Sequence, residues 1–335
     1  MSDLYPLLLK PEFVERIWGT RDLSPLYGPA PGDTPIGEVW LTGDQCQVAN
    51  GALAGMSLGE LCQRYGRDLV GKTAPETDRF PLLVKFLFPH DKLSVQVHPD
   101  DATARRAGLP CGKTECWYVF QAEPGAKIGL GLKPGTTRED FARAIEEVRA
   151  EQLLNWIDVR AGEMIYVDAG TVHAIGPGVI LLETQQNSDT TYRLYDYGRP
   201  RQLHVQQGLA ALKETTRAGK VEPEGDADSA VLVTSPCFVV KKHGLKSDKS
   251  GKRCEFMSGS NDRELSWRSV EILVGLNGCG VVEAQGCEPV ALGRGDAVVV
   301  PAAIDQFSVR GQWEVECLTI TLPPRVTVEE PNTRL

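Results

Sequence analysis

Gly162-Glu-Met-Ile-Tyr-Val-Asp-Ala-Gly-Thr-Val-His173 is matched without a gap by Gly295-Asp-Ala-Val-Val-Val-Pro-Ala-Ala-Ile-Asp-Gln306. Each copy opens on glycine, runs through an apolar core, turns at Asp or Pro and closes on a polar side chain. Apolar, partly β-branched residues between turn formers describe a strand, a turn and the start of a second strand. One motif used twice makes this a duplicated, mainly β chain.

The surrounding sequence agrees. Leu82-Leu-Val, Leu93-Ser-Val-Gln-Val-His, Trp117-Tyr-Val-Phe and Val179-Ile-Leu-Leu are strand-like runs bounded by Pro, Asp or Gly. Helices interrupt them. Ser57 and Glu60 form a capping box that opens a helix over 57–65, and 206–217 reads as another. Between Thr136 and Trp156 the apolar spacing is helical, with Thr136 and Glu139 as its capping box and Phe141, Ile145 and Val148 on one face. The acidic stretch 221–229 reads as a linker. It divides an N-terminal domain, 1–220, from a C-terminal domain, 230–335.

Composition narrows the function. The chain has 335 residues, 41% hydrophobic and 24% charged, as a globular two-domain protein should. A formal net charge of −9 argues against a nucleic-acid partner, which needs a basic face. It leaves an anionic small substrate open, because a pocket's local field can oppose the global sign. No apolar run approaches the roughly 18 residues that a membrane helix needs. The N-terminus lacks a secretory pattern, and the nine cysteines include no C-x-x-C pair. Reduced thiols in a cytoplasmic protein are expected.

Two motif matches fail on context. Gly66-Arg-Asp-Leu-Val-Gly-Lys-Thr73 satisfies the P-loop expression, but a helical approach and Pro75 replace the required strand and helix. Gly55-Met-Ser-Leu-Gly59 satisfies the nucleophile elbow, yet Ser57 is better used as a helix cap.

The chemistry lies elsewhere. Gln96 and His98 are two apart on a strand, so they share a face about 7 Å apart along the chain. Leu93, Val95 and Val97 make the other face apolar. A polar pair on a solvent face would look similar; the scarcity of histidine, five in the chain, favours a shared site. Glu115 could be a surface acid, but with His98 and His173 it completes a mixed His and carboxylate set suited to divalent first-row metals. With a Gln oxygen added, such a set leaves room for water or substrate, the mark of a catalytic centre. Cys111 and Cys116 read as packing residues, and His90, His204 and His243 as surface or packing residues.

The repeated motif resembles the second conserved motif of the cupin superfamily, which implies two jelly-roll (double-stranded β-helix) barrels with a few inserted helices. Because Gln306 replaces the histidine, the resemblance implies a single metal site, in the first barrel. Gln96-Val-His-Pro99, Lys113-Thr-Glu115 and the stretch Asp168–Arg193 further resemble the type I mannose-6-phosphate isomerases in their shorter bacterial form. So do Arg16-Ile-Trp-Gly19, Pro35-Ile-Gly-Glu-Val-Trp40 and Phe80-Pro-Leu-Leu-Val-Lys85. The likeness covers about residues 10 to 205; beyond 230 it rests on barrel pattern alone. Val39 stands where the family has Ser, and Asp168 where cupins have Pro.

The resemblance implies a zinc-dependent aldose–ketose isomerase that interconverts mannose 6-phosphate and fructose 6-phosphate through an enediolate. Gln96, His98, Glu115 and His173 would bind one Zn²⁺ per chain, although other divalent first-row metals accept these ligands. Arg193 falls at the family's catalytic arginine, Lys85 at a lysine associated with phosphate, and Lys113 beside the ligand glutamate. Arg193 suits electrostatic stabilisation, since a guanidinium keeps its proton; a structural pair with Asp189 or Asp196 is the other reading. Lys113 could bind substrate or, with a lowered pKa, shuttle protons. Glu183 could orient a ligand or act as base. A core carboxylate could answer Lys85 in place of phosphate. Another cupin enzyme, such as a metal dioxygenase, is an alternative that Gln96 disfavours; so is a non-catalytic sugar-binding bicupin, which has no need of a charged ligand set plus Arg193.

Overall fold

The computed structural model describes residues 3–226, 228–245, 254–258 (as backbone), 268–311 and 314–324. The described residues form mainly antiparallel strands, in four sheets. In the first large sheet the strands lie in the order Gly219–Val221, Met164–Val167, Glu115–Ala122, Val179–Gln186, Leu82–Leu87, Ile36–Trp40, Glu12–Thr20. In the second the order is Leu7–Leu8, Ala297–Val300, Glu271–Asn277, Val315–Thr321, Val239–Leu245, Ser229–Thr234, Glu224–Gly225. Two smaller sheets accompany them. One runs Tyr192–Tyr195, Val95–Val97, His173–Ile175, Lys127–Leu132, Leu154–Asp158; the other runs Cys254–Ser258, Phe307–Gly311, Gly280–Ala284, Val290–Leu292.

Strand order shows the duplication directly. Met164–Val167 and Ala297–Val300 hold the second place in their large sheets, and His173–Ile175 and Phe307–Gly311 lie in the small ones. The first strand crosses to the sheet of the second half. Leu7–Leu8 pairs with Val298–Val299, whereas Gly219–Val221 pairs with Met164–Tyr166. Among the described residues no ladder joins the two sheets of a pair, so neither pair closes into a barrel.

Packing explains the unusually apolar strands. All six residues of Leu82–Leu87 are buried, because this sheet is covered on both faces. One face carries Leu82, Val84, Phe86 and Leu182 into a core shared with Val240, Ile272, Val299 and Ile320 of the second large sheet. The other face meets the small sheet through Trp117, Ile165 and Leu181 against Ile128, Leu130 and Ile175. Behind the small sheet, Val95 and Val97 pack with Phe141, Ile145 and Ala211 of two helices.

Several local expectations need adjustment. The helix after Thr136 spans only Arg138–Glu146; Thr137 is its cap and Asp140 its capping-box partner, one residue later than the spacing suggests. Val148 lies beyond it, 65% exposed with φ 59, and Trp156 sits on a strand. The later helix spans Val205–Ala211. The acidic segment contributes strand Glu224–Gly225, paired to Ala230 and Val231, in place of free chain. Ser57 does cap helix Leu58–Tyr65 through both arms of its capping box. That helix enters the P-loop-like stretch, and Gly71 then bridges to Ser269, so no phosphate cradle forms there. The cysteines with described side chains are all free. Among the described residues no helix is long and apolar enough to cross a membrane.

Candidate metal centre and cleft

Sheet register brings the polar side chains together. Gln96 pairs with His173 on one side and Arg193 on the other. Opposed residues of an antiparallel ladder share a face, so these three form a polar row across the small sheet. In the first large sheet a second row runs Trp40, Lys85, Glu183, Trp117. Glu115 lies two residues before Trp117, on the same face. The two rows meet at the Trp117 and His173 rings, packed edge to face with centroids 5.2 Å apart.

His98, Glu115 and His173 are buried, and each offers a ligand atom within 4.8 Å of the others. His98 Nε2 lies 3.7 Å from Glu115 Oε2, and His173 Nε2 lies 3.3 Å from Oε1. The outer ring nitrogens donate to carbonyls: His98 Nδ1 to Thr190 at 2.8 Å, His173 Nδ1 to Thr171 at 3.0 Å. A carbonyl can only accept, so both protons sit on Nδ1 and both Nε2 lone pairs face inward. Gln96 directs its Nε2 at His173 Nε2, 3.1 Å away, while its Oε1 accepts from Ser94.

Electrostatics support a cation here. Burial pushes His98 well below the ordinary imidazole range, helped by the nearby Lys113 ammonium, and brings His173 down to about 4. Burial also raises Glu115 to about 8 against the pull of Lys113. Glu183 feels the same burial, but Lys113 and Lys85 outweigh it and hold the carboxyl at about 2. His98 Nε2 and Glu115 Oε1 are buried with no hydrogen-bond partner. Two neutral imidazoles and a costly carboxylate, aimed at one point, fit a divalent metal.

Glu115 of the triad lines a cleft of about 440 Å³, as do Gln96, Lys113, Glu183, Lys85 and Arg193. Lys113 bridges Glu115 at 3.1 Å and Glu183 at 3.3 Å. Burial alone would lower its pKa, but these carboxylates raise it above the ordinary lysine value, opposite to the direction a proton shuttle requires. Lys85 is answered by two core carboxylates, Glu38 at 3.5 Å and Glu183 at 3.8 Å. Arg193 Nη1 donates to the Gln202 carbonyl at 2.9 Å. Asp196 is taken by Arg199 and Arg201.

Three participants escape a reading of the sequence. His204, expected to be a surface or packing residue, lines the cleft and accepts from the Arg193 amide at 3.3 Å. Glu38 and Arg16 also line it, joined by an ion pair of 2.9 Å. Their signal was available: Glu38 is a carboxylate inside Ile36–Trp40, a strand buried at every position. His90 is exposed, and His243 bonds Thr319 in the second half, away from the cleft.

Known proteins resemble this chain along nearly its whole length. Residues 7–118 match the profile of the phosphomannose isomerase type I catalytic domain. A mannose-6-phosphate isomerase from Streptococcus mutans is 35% identical over 325 residues, covering 92% of this chain and 96% of that protein. The Bacillus subtilis mannose-6-phosphate isomerase ManA is 39% identical over 266 residues, covering 74% and 82%. The crystal structure of a mannose 6-phosphate isomerase from Bacillus subtilis superposes with a TM-score of 0.81 at 30% identity, covering 94% of this chain and 99% of that one.

Proposed function

The chain belongs to the type I phosphomannose isomerase family, and from that premise we propose how its cleft interconverts mannose 6-phosphate and fructose 6-phosphate. The observation that carries the reading is the buried His98–Glu115–His173 triad, whose Glu115 lines a cleft together with Arg193 and two lysines.

His98, Glu115 and His173 would hold one Zn²⁺, with Gln96 joining after its amide rotates to present Oε1. Mn²⁺, Fe²⁺ and Co²⁺ accept the same donors. Bound there, the metal supplies Lewis-acid polarisation of the sugar oxygens. Isomerisation moves a proton between C1 and C2 through an enediolate, whose charge must be met as it develops. The Arg193 guanidinium keeps its proton and contributes fixed positive charge across the cleft. Lys113 stays an ammonium between two carboxylates, so its part is to orient Glu115 and donate to substrate oxygen. Glu183, ionised between Lys113 and Lys85, orients both ammonium groups; the same two charges that hold its pKa down make it a weak base. Lys85 remains the assigned contact for the phosphate, although Glu38 and Glu183 already neutralise part of its charge.

At the level of architecture, each large and small sheet pair reads as a jelly roll of cupin type, the first catalytic and the second a cover for it. We assign the halves to residues 1–220 and 230–335. The enzyme acts on a free sugar phosphate in the cytoplasm, with no nucleic-acid or membrane partner.

Purified protein should convert mannose 6-phosphate to fructose 6-phosphate, lose that activity to a chelator and regain it with Zn²⁺. Folded, metal-loaded protein that leaves the substrate unchanged would defeat the isomerase reading.

A further inference from the structure

From the cleft mouth to the triad runs a chain of alternating charge. Arg16 Nη2 lies 2.9 Å from Glu38 Oε2, and Glu38 Oε1 lies 3.5 Å from Lys85 Nζ. Lys85 is followed by Glu183 at 3.8 Å, Lys113 at 3.3 Å and Glu115 at 3.1 Å. Side-chain exposure falls from 28% at Arg16 to 9% at Glu38, 4% at Lys85 and 1% at Glu115. The chain therefore leads inward. Its inner members serve the chemistry already described, whereas Arg16 and Glu38 have no part in it.

Glu38 is held as few surface carboxylates are. Oε2 accepts from Trp40 Nε1 at 2.7 Å as well as from Arg16, which leaves Oε1 to face Lys85. The backbone makes room for this arrangement. A Cβ on Gly37 would lie 2.5 Å from Arg16 Cβ and 2.8 Å from the Trp18 ring. Glycine at that position lets Arg16 lie across the strand toward Glu38. Arg16 also gives Nη1 to the Glu15 carbonyl, and a guanidinium has five N–H donors in all, so donors remain for a ligand in the cleft.

We infer that Glu38 is a positioning residue for the isomerase: it clamps Arg16 at the cleft mouth, where Arg16 binds the anionic end of the sugar phosphate, and steadies Lys85 on the floor. The inference rests on the isomerase reading. Loss of the Glu38 charge frees Arg16 and leaves Lys85 to Glu183 alone. Substrate binding suffers more than turnover, because the triad and Arg193 keep their partners.

A double-mutant cycle tests this in the metal-loaded enzyme. R16Q and E38Q should each raise KM for mannose 6-phosphate about tenfold, the size expected for one charge-assisted contact, with kcat changed much less. If Glu38 acts through Arg16, the double variant matches the worse single variant instead of multiplying the two effects. E38D, which keeps the charge, should recover part of the loss, and metal content should stay at the wild-type level throughout. If E38Q does not fold by circular dichroism, E38D paired with R16Q reads the same coupling. An active wild type with unchanged KM in the variants, or with strictly multiplicative effects, overturns the inference. An inactive wild type instead removes the isomerase reading on which it stands.

Discussion

His173 and Gln306 close two copies of one motif, and their surroundings differ more than their sequences do. His173 is buried with Nδ1 anchored on Thr171 and Nε2 facing Glu115. Gln306 is exposed just before strand Phe307–Gly311. A carboxylate does recur in the second copy: Glu115 pairs with Val167 and Glu271 with Val300, the last residues of equivalent strands. A carboxylate without imidazoles is a poor ligand set for a first-row metal. In the second half the space between the sheets is filled by Leu273, Val282, Val298 and Phe307. Replacing His173 with Ala should therefore abolish stoichiometric metal binding, read by elemental analysis, while circular dichroism shows the fold retained. Metal retained at the wild-type ratio would remove His173 from the centre.

At the scale of elements, helix Arg138–Glu146 shows where pattern reading slips. Thr136 and Thr137 are adjacent, and each has an acid three residues on, Glu139 and Asp140. Either pair satisfies the capping-box rule. The fold chooses Thr137, whose side chain accepts from the Asp140 amide while Asp140 accepts from the Thr137 amide. That register turns Phe141 and Ile145 onto Val95 and Val97, on the strand that carries Gln96. Thr137→Ala should cost about 1 kcal/mol, the usual worth of such a cap, while Thr136→Ala should be nearly silent. Denaturant unfolding midpoints of the two variants distinguish them, and the opposite ranking would return the cap to Thr136. The strands were easier to read. Alternation at Val95, Gln96, Val97 and His98 already separated an apolar from a polar face, and the observed core cluster takes up the apolar one.

For the whole molecule, the crossing of the first strand into the second half matters most. Leu7–Leu8 completes the second half's large sheet and Gly219–Val221 completes the first half's. The same two sheets bury Leu82, Val84, Phe86 and Leu182 against Val240, Ile272, Val299 and Ile320. Each such side chain contributes about 2 kcal/mol when fully buried, so uncovering one face removes about as much as the 5–15 kcal/mol that stabilises a typical protein. A fragment of residues 1–222 should accordingly be insoluble, or lack the near-ultraviolet circular dichroism of fixed packing. If it were soluble and unfolded cooperatively, the first half would prove to stand alone.

Local pattern alone determined the mainly β character, the duplication, the cap at Ser57 and the short list of side chains fit to hold a metal. These follow from period-two alternation, turn chemistry and residue type, which act within a few residues of one another. Tertiary structure decided the rest. Which carboxylates Lys85 and Lys113 face, and whether Glu38, Arg16 and His204 belong to the cleft, depend on partners far away in the chain. Burial sets these outcomes, because a charge removed from water is governed by its few nearest neighbours. Those neighbours are supplied by sheet register, and here also by a first strand that crosses into the second half.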